Sequence, residues 1–165
     1  MEAFSKNSRG GSRPAPAPSA SGLVIGYGNT LRSDDGVGPR VAERVEALQL
    51  AGVTTLTCGL LTPELADPIS RVDRVVFVDA SLEARSDVEL RALCPSASAQ
   101  VMAHAADPRS LLALSRDVFG HAPEAWWLTI PVENLSFGEQ LSGLAERGYA
   151  DALEAICGLV GSGSR

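Results

Sequence analysis

Residues 23–38 read L-V-I-G-Y-G-N-T-L-R-S-D-D-G-V-G. A short apolar run ends at a glycine, a glycine-rich loop follows, and a helical pattern begins at once. Leu23–Tyr27 has the composition of a strand buried on both faces. Val37, Val41, Val45 and Leu48 recur on one helical face. Pro39 suits a first helical turn, where a missing N–H costs nothing. Strand, loop and helix in this order open an α/β sheet.

The loop is the unusual part, because glycine-rich loops after a strand usually cradle phosphates. Gly26 and Gly28 suit a tight turn and close packing against the next helix. The third glycine of the dinucleotide fingerprint is missing, since G-Y-G is followed by N-T-L. Thr57-Cys58 stand where a ribose-binding acid belongs. Asp34 and Asp35 lie where a pyrophosphate would sit and would repel it. N-capping accounts for one aspartate. The second is free to face a cation.

Further along, V-T-T-L-T (53–57) is a β-branched strand and T-P-E-L-A-D-P-I (62–69) a short helix with Thr62 as N-cap. R-V-V-F-V-D-A (74–80) is the clearest strand, and V-E-L-R-A-L (88–93) alternates as a half-exposed edge strand. D-P-R-S-L-L-A-L-S-R-D-V-F (107–119) is a helix capped by Asp107, W-W-L-T-I (126–130) a fifth strand, and 139–160 a helical pattern broken by Gly143 and Gly148. The expected fold is an α/β three-layer sandwich: a mainly parallel, twisted five-stranded sheet with helices on both faces.

The chain has 165 residues, which suits one domain. Residues 1–21 are rich in Gly, Ser, Pro and Arg and read as a disordered tail without a signal peptide. Residues 22–165 form the expected domain. The tail carries +2, which leaves −8 for the domain out of a total of −6. Acidic balance excludes nucleic acid and anionic lipid as expected partners. No apolar run approaches the roughly 20 residues of a membrane span. Three widely spaced cysteines, Cys58, Cys94 and Cys157, fit reduced thiols in the cytoplasm. A monomer is expected.

Ligands of open α/β sheets bind beyond the carboxyl ends of the strands, where the topology switches direction. Asp79 ends the V-V-F-V run, so it emerges beside the Asp34-Asp35 loop if those strands are neighbours. A strand-end cap is the alternative role for Asp79. Of two histidines, His121 lies in a turn and reads as solvated, whereas His104 precedes a capped helix at the carboxyl edge. Two carboxylates and an imidazole from separate loops suit Zn, Ni, Co, Mn or Fe(II) with positions left open. No serine or cysteine nucleophile with a neighbouring base is evident.

These segments, with F-G-E-Q-L-S at 137–142, resemble the hydrogenase maturation endopeptidases. The likeness runs from Gly22 to about Ile156, and G-N-x-L-x-x-D-D-G-x-G is its most specific string. T-P-E-L and G-E-Q-L-S resemble the branch serving soluble, bidirectional hydrogenases. The resemblance implies removal of a C-terminal extension from the large-subunit precursor of a nickel–iron hydrogenase after nickel insertion. It implies Asp35, Asp79 and His104 as nickel ligands, the nickel being supplied by the precursor, with another divalent ion able to occupy the site in vitro. Either a metal polarises the scissile carbonyl or activates water, or the nickel is only read and Asp79 or Asp34 acts as general base. Asn29 is expected to hold the loop or a substrate carbonyl. Glu64 and Glu133 are expected either to line the cleft or to be solvated. Many members show D-G-G-T after strand 2, where this chain has Cys58-Gly59-Leu60-Leu61; the resemblance therefore leaves substrate choice open. Two rival readings are a nickel-dependent partner that binds without cutting and a nucleotide-dependent α/β enzyme.

Overall fold

The computed structural model describes residues 21–84, 86–97 and 107–160. Residues 1–20 of the expected tail (1–21) and His104 lie outside these described residues. The strands are β1 (Gly22–Tyr27), β2 (Val53–Cys58), β3 (Arg74–Ser81), β4 (Glu89–Leu93) and β5 (Glu124–Pro131). The helices are α1 (Val37–Ala47), α2 (Ala66–Ser70), α3 (Pro108–Phe119) and α4 (Gly143–Val160). One sheet of order β2-β1-β3-β5-β4 contains all five strands. Only β4 runs antiparallel, paired to β5 at the edge. It is more exposed than its alternation suggested, and its charged Glu89 and Arg91 discourage pairing with another chain.

Period-two alternation divides the core into two layers. Val24, Val76, Val78 and Leu128 face α1 and α4, meeting Val37, Val41, Val45 and Ile156. Leu23, Ile25, Val75 and Phe77 face α2 and α3, meeting Ile69, Leu111 and Leu112. Both faces are therefore covered, as the uninterrupted apolar runs of β1 and β3 demand. Phe77 is fully buried; truncating it to Ala would cost about 3–5 kcal/mol.

Several local expectations hold and several change. Asp107 caps α3 by accepting the Arg109 N–H at 3.0 Å, and Gly120 ends that helix in the left-handed conformation. Thr62 occupies the extended cap position, but its side chain makes no capping bond, and Pro63–Leu65 form a 3-10 turn before α2. Neither Asp34 nor Asp35 caps α1, whose cap residue is Gly36. Leu48 falls just past the end of α1 and is exposed. Gly143 starts α4, and Gly148 stays inside it, because a Cβ there would meet Ile130 at 2.6 Å and drive the helix off β5. Among the described residues no helix is long and apolar enough to cross a membrane.

Candidate active site at the carboxyl rim of the sheet

From β1 the chain crosses to β2 on one side and later returns to β3 on the other. Loops leaving β1 and β3 thus diverge and leave a crevice between them. Gly38 lets the start of α1 rest on the backbone of this rim: a Cβ there would meet Val78 O at 2.5 Å and Tyr27 O at 2.7 Å. Gly28, at φ +138°, lets the loop turn back under the Asp35 backbone. The Asp35 side chain accepts the Asn29 N–H at 2.9 Å. Asn29 Oδ1 in turn accepts the Leu31 N–H at 2.9 Å, so this amide holds the loop. The Asn29 N–H, a donor of the kind that binds phosphate, is thus already answered by a carboxylate.

Asp34 and Asp35 have opposite surroundings. Asp34 has no accessible surface. It accepts from Glu133 N (3.1 Å), Asn134 N (2.9 Å), Ser142 N (2.6 Å) and Ser142 Oγ (2.7 Å). Burial pushes its carboxyl up, but the donors from Ser142, Asn134 and Glu133 outweigh it and hold it below the ordinary range. Ser33 N to Gly138 O (2.7 Å), Gly138 N to Leu31 O (2.9 Å) and Arg32 Nε to Leu135 O (3.2 Å) add to this strut. Arg40 also donates to Glu139 O. Asp34 thus ties the loop after β5 to the loop after β1. Its donor-filled carboxylate does not fit the general-base role expected for it, because a base needs an oxygen free to take a proton.

Asp79 is half-buried at the carboxyl end of β3. Tyr27 Oη donates to its Oδ2 at 2.8 Å. Burial pushes its carboxyl up to about 6; bonds from Tyr27 and its own loop backbone oppose this, and the Asp35 charge adds to it. Burial and the Asp79 charge push the Tyr27 phenol far above its usual range, so it stays a donor. Asp107, three residues beyond His104, adds to the upward push on Tyr27. The buried Trp127 indole N–H lies beside the Tyr27 oxygen and works against that rise.

The structure sets the loop carrying Asp35 beside the strand that ends near Asp79, through the β1–β3 pairing. Among the described residues no three His, Cys, Asp or Glu side chains form a metal-holding cluster. A cation suits a pair of carboxylates better than an anion does, because an anion would be repelled by both. His121 is remote, its Nε2 lying 3.0 Å from Val72 O. Glu64 and Glu133 are exposed and absent from the cleft lining, as solvated positions would be. That cleft, about 630 Å³, runs from Asp35 past Asn29 and Arg32 to Cys58, Gly59 and Leu60. Sequence reasoning missed Tyr27 and Ser142. An aromatic at the strand end, facing Asp79 across a parallel pair, was the available signal for the first; nothing local marked the second.

The chain is thus an open α/β sandwich with carboxylates at its switch point. Solved structures share that fold. The hydrogenase maturating endopeptidase HybD from E. coli superposes with a TM-score of 0.67 at 22% identity, covering 84% of this chain and 91% of that one. The [NiFe] hydrogenase maturation protease HycI from Thermococcus kodakarensis gives 0.66 at 22% identity, covering 87% and 94%. An uncharacterized protein from Wolinella succinogenes gives 0.61 at 26% identity, covering 86% and 97%. The chain thus has the fold of the hydrogenase maturation endopeptidases. No protein-family model matches it, and no curated protein does.

Proposed function

We propose that the chain is an endopeptidase that removes the C-terminal extension of a nickel–iron hydrogenase large-subunit precursor after nickel insertion, acting in the cytoplasm. The observation that carries this reading is the sheet order, which sets the loop after β1, with Asp35, beside the end of β3, with Asp79, at the switch point. The shared fold supports it. Asp35, Asp79 and His104 are the residues assigned to recognise nickel carried by the precursor. One Asp79 oxygen is held by Tyr27. Its other oxygen contacts the ion or takes the proton of the attacking water. A carboxyl with a pKa near 6 suits a base at neutral pH. That proton then passes to the departing amine as the peptide bond breaks, leaving a carboxyl and an amine.

The test is incubation of the purified chain with nickel-loaded and nickel-free precursor, read by mass spectrometry. A shortened product only from the loaded precursor, lost in Asp35→Ala and His104→Ala, is expected. Nickel-dependent binding without a shortened product would replace the protease by a non-catalytic partner.

A further inference from the structure

Four large apolar side chains stand exposed on the same rim: Leu31 (48%), Leu60 (72%), Leu82 (63%) and Phe137 (87%). Each comes from a different loop, after β1, β2, β3 and β5 respectively. Val118 and Phe119, also exposed, lie at the opposite end of the sheet, before β5 begins. We propose that the four rim residues form a docking face for the folded body of a protein substrate, whose matching surface is apolar and fringed by Lys and Arg. The proposal rests on the protease reading above and adds the body of the partner to the segment that is cut.

Leu60 lines the cleft together with Asp35, so the apolar face is continuous with the candidate active site. Leu31, Leu82 and Phe137 lie outside the cleft lining. An extended segment in the cleft therefore leaves them uncovered, and a folded body beside that segment covers them. Phe137 does not sit on a loose loop. Its neighbours Ser136 and Gly138 accept from Ser33 Oγ (3.0 Å) and Ser33 N (2.7 Å), and Gly138 N donates to Leu31 O. Asp34 anchors both ends of the same loop through Glu133, Asn134 and Ser142. An aromatic held outward by its scaffold loses little freedom when a partner covers it, which is how interface anchors gain affinity. Among the described residues, exposed Glu64, Glu83, Glu133 and Glu139 flank the anchors in sequence, against exposed Arg32. Their charge selects a basic fringe on the partner and speeds encounter at low salt.

The test compares wild type, the double variant Leu31→Ser/Phe137→Ser and the control Val118→Ser/Phe119→Ser. Cleavage kinetics on the nickel-loaded precursor are combined with calorimetric binding to the same precursor. The rim variant should raise KM and Kd about tenfold or more, with the control within twofold. Should the double variant fail to fold, Leu82→Ser alone gives the same readout from a separate loop. Unchanged KM and Kd in a folded rim variant would overturn the proposal. So would wild type sedimenting as a dimer that the rim variant dissociates, since the face would then pair copies of this chain. Absence of cleavage by wild type, with rim-dependent binding intact, would overturn the protease reading and leave the docking face standing.

Discussion

Asp34 and Asp79 are both carboxylates withdrawn from water on the same rim, and the protein drives them in opposite directions. Four donors converge on Asp34, three of them backbone N–H groups. Asp79 has one side-chain donor, Tyr27, and a like charge, Asp35, nearby. Burial raises both; the number of donors decides which charge is stable. One site stores stability and the other stores reactivity. The first holds the frame of the rim, and the second lies half-buried near the end of β3, outside the lining of the cleft.

The largest test of this contrast is chemical. Asp79→Asn should lower cleavage of the nickel-loaded precursor about 10²–10⁴-fold if the carboxylate is the base. The same variant should unfold less readily at pH 7. Between 3.8 and about 6 the unfolded chain releases the Asp79 proton while the folded chain keeps it. Stability therefore falls as pH rises through that window and stays lowered above it. Removing the group should restore about 1–3 kcal/mol, read by urea unfolding. A loss of stability at pH 7 would break the contrast.

Asp34→Ala should do the reverse. It strands the N–H groups of Glu133, Asn134 and Ser142 under the loop, costing about 3 kcal/mol in urea unfolding. Its contribution in the wild type is present at neutral pH and is lost as pH falls through the depressed folded pKa. A variant as stable as wild type would show that the strut carries no load.

Next in size is the pH profile. kcat/KM should fall about tenfold per unit below a midpoint near 6 and level off above it, because only ionised Asp79 accepts a proton. A profile flat from pH 5 to pH 7 would remove Asp79 from the base role. The smallest effect is expected from Tyr27→Phe. Without that donor the charged form of Asp79 loses support, so the midpoint should move to higher pH while the fold persists. Movement to lower pH would contradict the hydrogen bond's direction.

Much of this architecture is legible along the chain. The unbroken apolar runs at 23–27 and 74–78 mark strands covered on both faces, and Asp107-Pro108 marks a helix start. Both are local patterns, set by periodicity and by the chemistry of one helical turn. Asp34 shows the limit. In sequence it is a helix cap or a second acid beside Asp35; in space its partners lie 99 to 108 positions away. Thr62 shows the same limit at short range, where the right residue in the right conformation makes no capping bond.

Sequence alone determined that strands alternate with helices, that the first loop is acidic, and that Asp79 ends an apolar strand. These follow from side-chain polarity and spacing, which act over a few residues. Tertiary structure decided which aspartate faces the crevice, that Tyr27 grips Asp79, and that Leu31 and Phe137 stand out on one braced rim. Those outcomes depend on hydrogen-bond donors delivered from distant loops, and only the closed fold fixes where such donors arrive.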